Sequence, residues 1–337
     1  MWSELSVVLC AHNAEKTIQR TLQSIEPLIK LGTKLIIVDD DSSDQTPTLI
    51  QEFIKLFNNI ESVSISRMGS AGARNTGLSL VKSKFVMFCD SDDEITLPSS
   101  NFDDLILKDS DFIVFDYEWI QKDQVSILKK LNEICKANNK QRLSLECKTL
   151  LLQEMGFWRY IYRTSFLIEN KIRFVGELNE INADFFVLDD YFFILKVLTC
   201  AEIFTYVPNV LYKYYANPSA SFERFRRQSR FMGRAANIQM RDEFIGLDVD
   251  STKWYGSKIS EQLTSSFKVI SLIDSFREMP SFVRAIWMSN RRFKRISIIN
   301  SSIDVSRLLI ILVKKIISKA TKFSNLRSLI RDLKYRK

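Results

Sequence analysis

The segment Cys89-Asp90-Ser91-Asp92-Asp93 places three carboxylates directly after the apolar run Phe85 to Phe88. Asp90 and Asp92, two residues apart on a turn, suit oxygen coordination of Mg²⁺ or Mn²⁺ with positions left open for diphosphate oxygens. A cation held there would offset charge on a departing diphosphate. The same residues also suit an acidic turn that caps a helix, since Asp is common at caps and turns. Three further polar groups have the types that chemistry needs: His12-Asn13-Ala14-Glu15, Asp39 to Asp44, and the pair Asp189-Asp190. The last pair also has a structural reading, because acids favour a helix N-terminus.

Composition narrows the chemistry. The five cysteines (Cys10, Cys89, Cys135, Cys147 and Cys200) are scattered and never form a Cys-x-x-Cys pair. That argues against a disulfide framework or a zinc cage, and they read as reduced thiols. His12 is the single histidine, which limits metal sites to oxygen ligands and removes most triads that need an imidazole. Carboxylates must therefore carry most of the chemistry.

Elements that would position these groups follow from periodicity. Leu5 to Leu9 reads as a buried strand. Asn13 is placed to cap a helix whose apolar positions Ile18, Leu22, Ile25 and Ile29 recur at helical spacing, with Gly32 as its stop. Leu35 to Val38 is a second strand, followed by a helix carrying Leu49, Ile50, Phe53, Ile54 and Phe57. Val63 to Ile65, Phe85 to Phe88 and Phe112 to Phe115 are further strands, and Ser70 to Val81 is a helix. Gln121 to Thr149 is polar and lysine-rich, and reads as an insertion or a pair of surface helices. Tyr160 to Phe174 resumes a strand-and-helix pattern, Asp189 to Cys200 is a helix, and Ile203 to Tyr206 and Leu211 to Tyr215 are strands. Strands alternating with helices at this spacing predict a mostly parallel, doubly wound sheet with ligands beyond the carboxyl ends of its strands. His12 to Glu15, Asp39 to Asp44 and Asp90 to Asp93 fall at three such ends, where one cleft gathers them.

Four segments in order resemble family 2 glycosyltransferases of the GT-A fold. They are Ser6-Val7-Val8-Leu9-Cys10-Ala11-His12-Asn13-Ala14-Glu15, Ile36-Ile37-Val38-Asp39-Asp40-Asp41-Ser42-Ser43-Asp44-Gln45-Thr46, Ala73-Arg74-Asn75-Thr76-Gly77-Leu78 and Phe88-Cys89-Asp90-Ser91-Asp92-Asp93. The resemblance is strong over residues 4 to 95 and traceable to about 222. It implies an α/β, Rossmann-like central sheet flanked by helices, and a donor that is a nucleotide-diphosphate sugar, typically a UDP-sugar. Ala11 and Glu15 would flank the nucleotide and Asp40 would hydrogen-bond the base, with Asp39 the less favoured contact. Arg74 would approach the diphosphate or sugar with its fork of donors. Asp92 would be the metal ligand for Mn²⁺ or Mg²⁺, Asp90 would contact ribose or metal, and Ser91 lies between them in the donor site. Leu188-Asp189-Asp190-Tyr191 resembles the segment whose second acid is the general base of inverting members, which assigns that role to Asp190. The chain departs from the pattern at Cys10 for Pro, His12 for Tyr and Asp41 for Gly. His12 is placed either to stack on the base or to serve the loop, and Asp41 in the glycine's place implies φ > 0. Trp158 and Tyr162, spaced i, i+4, read as packing rather than as sugar-stacking rings.

The resemblance also implies an acceptor that is a saccharide or lipid-linked saccharide, in capsule, O-antigen or similar polysaccharide synthesis. Other readings are a catalytically inactive membrane-associated scaffold, or a nucleotidyltransferase, for which no Gly-rich phosphate loop stands near Cys10. At 337 residues, a two-part chain is expected: residues 1–222 as catalytic domain, with a nucleotide-sugar half to about 118 and an acceptor half from about 150, and 223–337 as a helical region. From Arg291 to Lys337 there are 14 Lys and Arg against Asp304 and Asp332, a net of +12 that leaves the rest of the chain at −4 within the total of +8. Leu309, Leu312, Val313, Ile316, Ile317 and Ala320 line one side of a basic amphipathic helix. That helix is placed either to lie on an anionic membrane surface or to pack on the catalytic domain. No nucleic-acid partner is expected, for want of a recognition motif. The chain starts without a signal-peptide pattern and has no apolar run long enough to cross a bilayer, so it is expected in the cytoplasm, peripheral to the membrane at most.

Overall fold

The computed structural model describes residues 2–97, 110–120, 124–126, 140–153, 156–174 and 189–215, together with Glu133 and Cys135. Leu5–Ala11 (β1), Lys34–Asp40 (β2), Ile60–Ile65 (β3) and Phe85–Asp90 (β4) form a parallel block in the order β3-β2-β1-β4. β1 is buried along nearly its whole length, as a strand covered on both faces must be. Helices Ile18–Lys30 (α1), Thr46–Ile54 (α2) and Gly69–Leu80 (α3) make the crossovers. α1 buries Ile18, Leu22, Ile25 and Ile29, the positions its periodicity marked, and Gly32 beyond it takes φ 100. The carboxyl ends of β1, β2 and β4 thus bring the three polar clusters to one rim.

Beyond β4 the sheet becomes mixed. Tyr160–Arg163 (β9) runs antiparallel between β4 and Phe112–Trp119 (β6), and Ile203–Tyr214 (β10) pairs parallel to β6. Glu94–Ile95 (β5) and Lys140–Arg142 (β8) pair antiparallel to β10, and Gln124–Ser126 (β7) to β6. Leu145–Gln153 (α4), Thr164–Glu169 (α5) and Asp189–Cys200 (α6) complete the described elements. The doubly wound α/β expectation holds, with the parallel character concentrated in the first ninety residues.

Some local expectations are corrected. Asn13 does not cap α1; it takes φ 49 and its Oδ1 accepts from the Ser43 N–H (2.9 Å), which ties the β1 loop to the β2 loop. Of the stretch 121–149, the described residues hold the strands β7 and β8, the helical Glu133 and the start of α4, and the rest lies outside the described residues. The two strands expected at 203–206 and 211–215 are one strand, β10, with register shifts between Val207 and Tyr212. Pro208 in that stretch offers no N–H, which suits an irregular ladder. Asp41 does adopt φ 63, the conformation that its place in the motif implied. The basic helix at 309–320, and everything from 216 on, lie outside the described residues. Among those described, no helix is long and apolar enough to cross a membrane.

α3 reaches the sheet through Gly77. A Cβ there would meet Val8 Cγ1 at 2.3 Å and Val38 Cγ2 at 3.3 Å, so only glycine lets the helix lie this close to β1 and β2. Gly77→Ala must push α3 and Arg74 outward. Overpacking of this kind typically costs ~1–3 kcal/mol, so the urea midpoint is expected to fall; an unchanged midpoint would mean that the contact relaxes freely.

Candidate functional site

Arg74, on α3, is the centre of the site. Its Nη2 donates to Asp90 Oδ1 at 2.9 Å and its Nη1 to Asp190 Oδ1 at 3.2 Å. The guanidinium lies over the Phe157 ring at 4.1 Å and near that of Phe174 at 5.3 Å. Its side chain is 9% exposed, against 28% for Asp90 and 35% for Asp190. A planar donor fork therefore joins the end of β4 to the first turn of α6, two carboxylates a hundred residues apart in sequence, and both carboxylates keep a face toward solvent.

The neighbouring Asn75 holds this arrangement. Its Nδ2 donates to the Phe174 carbonyl (2.8 Å) and its Oδ1 accepts from the Phe174 N–H (2.9 Å). Phe174 then stacks on Phe193 of α6 with centroids 4.0 Å apart, and Phe88 of β4 packs edge-on against both. Phe157, Phe174 and Asn75 were not assigned roles from sequence. Only the Arg-Asn step within the motif carried a signal, and the aromatic residues look like ordinary core.

The acidic turn is clamped from α1. Thr21 Oγ1 donates to the carbonyls of Ser91 (3.0 Å) and Asp93 (2.7 Å), and Arg20 Nη2 donates to the Asp92 carbonyl. Its three carboxylates have different fates. Asp93 is buried, accepting from the Tyr212 hydroxyl (2.8 Å) and the Tyr215 N–H (2.7 Å). The Tyr212 hydroxyl in turn accepts from the Asp90 N–H at 3.1 Å, so Asp93 fixes the turn to β10. Burial first, then Asp90 and Asp92, push its carboxyl up to about 9. Asp92 is half-buried, and burial followed by the charge of Asp90 raises it to about 6. Asp90 and Asp92 thus leave concentrated negative charge at the rim, with Asp93 as their internal brace.

At the ends of β1 and β2, His12 Nδ1 lies 2.7 Å from the Asp40 carbonyl and its Nε2 2.9 Å from Asn13 Nδ2, so its ring is tied into the loop. Glu15 Oε2 accepts from the Gln45 N–H (3.2 Å), and Asp44 accepts from the N–H groups of Glu15 and Thr46. Ala11 is buried. Asp40 is buried and receives the Met68 and Gly69 N–H groups at the start of α3, which leaves lone pairs on both oxygens. Asp39 beside it is buried, and its Oδ1 accepts no hydrogen bond from the described residues. Trp158 and Tyr162 are both buried, consistent with packing.

Among the described residues no three His, Cys, Asp or Glu side chains converge into a metal cluster. The donor set still fits Mg²⁺ or Mn²⁺, which take one or two carboxylates and complete their shell with water and substrate phosphate. Asp90 and Asp92 supply that number, and the electrostatic cost of Asp92 beside Asp90 is what a bound dication would relieve.

Residues 6–98 match the model of Glycosyl transferase family 2. The chain is 25% identical over 232 residues to the putative glycosyltransferase EpsH of Bacillus subtilis, covering 66% of this chain and 64% of that protein. It is 38% identical over 93 residues to the Escherichia coli UDP-Glc:alpha-D-GlcNAc-diphosphoundecaprenol beta-1,3-glucosyltransferase WfgD, covering 26% of this chain and 35% of that protein. The matches span less than two thirds of these relatives' lengths. In structure, S. aureus TarS 1–349 in complex with UDP-GlcNAc superposes with a TM-score of 0.61 at 20% identity, over 85% of this chain and 80% of that one. That likeness is one of fold.

The turn makes a paired expectation. With Asp92 raised in the folded state, its ionisation costs stability progressively as pH rises from the unfolded value near 3.8 through 6. Asp92→Asn should therefore raise the melting temperature of the metal-free protein at pH 7.5, with the gain disappearing toward pH 4. Asp93→Ala should lower it, by about 2 kcal/mol or more of stability, because two buried donors lose their acceptor. Equal effects of the two substitutions would remove the distinction between rim and brace.

Proposed function

From a chain whose residues 6–98 are a family 2 glycosyltransferase domain on the GT-A fold, we propose a transferase. It moves a sugar from a UDP-sugar to a saccharide or lipid-linked saccharide, with inversion, in bacterial surface-polysaccharide synthesis. The observation that carries this reading is Arg74 joining Asp90 to Asp190: it puts the donor-side acidic turn and a candidate base on one guanidinium. The relatives' names support a UDP-sugar donor and a lipid-linked saccharide acceptor, and one is a teichoic acid polymerase of the cell surface.

In this reading the acceptor hydroxyl meets Asp190, which takes its proton as the oxygen bonds to the anomeric carbon. The bond from that carbon to the diphosphate breaks, and its electron pair stays on the leaving oxygen. Attack from the face opposite the diphosphate inverts the centre. Arg74 holds Asp190 in place by its ion pair and offers its fork to the diphosphate, whose negative charge grows as the bond breaks. The end of β4 carries Asp90 toward ribose or metal, with Ser91 beside it. The base is held at the ends of β1 and β2 by Asp40, between Ala11, His12 and Glu15. Asp92 and Asp90 would hold Mn²⁺ or Mg²⁺, which when bound supplies further charge neutralisation at the diphosphate.

Asp190→Asn tests the base. With a UDP-sugar and Mn²⁺, transfer is expected to fall by about 10²–10⁴-fold while UDP affinity stays within a few-fold. Transfer at the wild-type rate would remove Asp190 from the reaction. Wild-type transfer that continues in EDTA would remove the metal.

A further inference from the structure

β6 and β10 end in an aromatic array whose inner member, Tyr212, braces the acidic turn. Their parallel register pairs Tyr212 with Tyr117 and Tyr214 with Trp119, so the four side chains share one face of the sheet. Trp158 lies nearly parallel to Tyr212 and Tyr214, with centroids at 4.6 and 5.2 Å and planes 11° and 12° apart. Tyr117 meets Trp158 edge-on at 4.6 Å, and Trp119 meets Tyr214 edge-on at 5.5 Å. Burial is graded along the array. Tyr117, Trp158 and Tyr212 are buried, whereas Trp119 and Tyr214 at the strand ends are half-buried.

The open end lies beside the reacting groups. Tyr214 sits between Tyr212 and Tyr215, both hydrogen-bonded to Asp93. Burial first, then the charges of Asp93, Asp90, Asp92 and Asp190, push its phenol up to about 12. A half-open aromatic surface next to several carboxylates matches a pyranose: ring C–H groups cover an aromatic face while hydroxyls donate to carboxylate oxygens. The loops after β1 and β2 lie on the other side of β4 in the sheet order, which places this array away from the base and toward the acceptor.

We infer that Trp119 and Tyr214 form a stacking platform for a sugar ring of the acceptor, held in place by the buried Trp158 and Tyr212 behind them. This deepens the transferase reading and rests on it for the word acceptor; the saccharide site itself does not. The test measures binding without turnover. Methyl β-D-glucopyranoside, methyl β-D-galactopyranoside and methyl N-acetyl-β-D-glucosaminide are titrated into the full chain by saturation-transfer NMR, and UDP by calorimetry. At least one glycoside should bind the wild type. Tyr214→Ala and Trp119→Ala should weaken it by about tenfold, with Tyr214→Phe and UDP affinity within about twofold of wild type. If an alanine variant fails to melt cooperatively, Tyr214→Leu and Trp119→Leu, which keep apolar bulk without the ring, replace it. The platform is overturned if no glycoside binds, if the ringless variants bind as wild type does, or if they lose UDP instead. Glycoside binding with the expected losses, but no UDP-sugar consumed, would keep the platform and remove the transferase reading.

Discussion

A guanidinium taken almost wholly out of water is costly unless its donors are matched, and at Arg74 they are matched by Asp90 and Asp190. The Phe157 face below it adds cation–π attraction in a setting where water competes little. This single buried charge dictates much around it. α3 must lie close enough to deliver it, which needs glycine at 77; α6 must start where Asp190 can reach it; and Phe174 must be pinned by Asn75 so that the aromatic floor stays closed.

The acidic turn divides labour by depth. Asp93 is spent on Tyr212 and Tyr215, and so anchors the carboxyl end of β4 to β10. Among the described residues Asp92 gains no comparable partner, and it stands raised beside Asp90. Folding alone gives little reason to place a charge in that position, whereas the cation proposed there would.

Much of this is legible in the sequence. Buried strands such as Leu5–Ala11 and the period of α1 identify themselves, because β propensity and helical spacing act locally. The rim at the ends of β1, β2 and β4 follows from the topology they force. The mixed half was harder: β9 between β4 and β6, and the continuous β10, depend on pairings between segments far apart in sequence. Asp190 was placed by its motif, but its partnership with Arg74 was not. Asn13 misled because a cap residue and a left-handed loop residue look alike in sequence. His12 as a base-stacking ring also met a competing use, since both ring nitrogens engage the loop.

In the proposed function Arg74 organises a diphosphate site between two carboxylates. The most direct measurement is calorimetric affinity for UDP and for uridine, in EDTA, with wild type and Arg74→Ala. Wild type should prefer UDP, and Arg74→Ala should weaken UDP by about 10–100-fold, the worth of one or two charge-assisted hydrogen bonds, while leaving uridine nearly unchanged. Equal losses for both ligands, or no loss for UDP, would contradict the account.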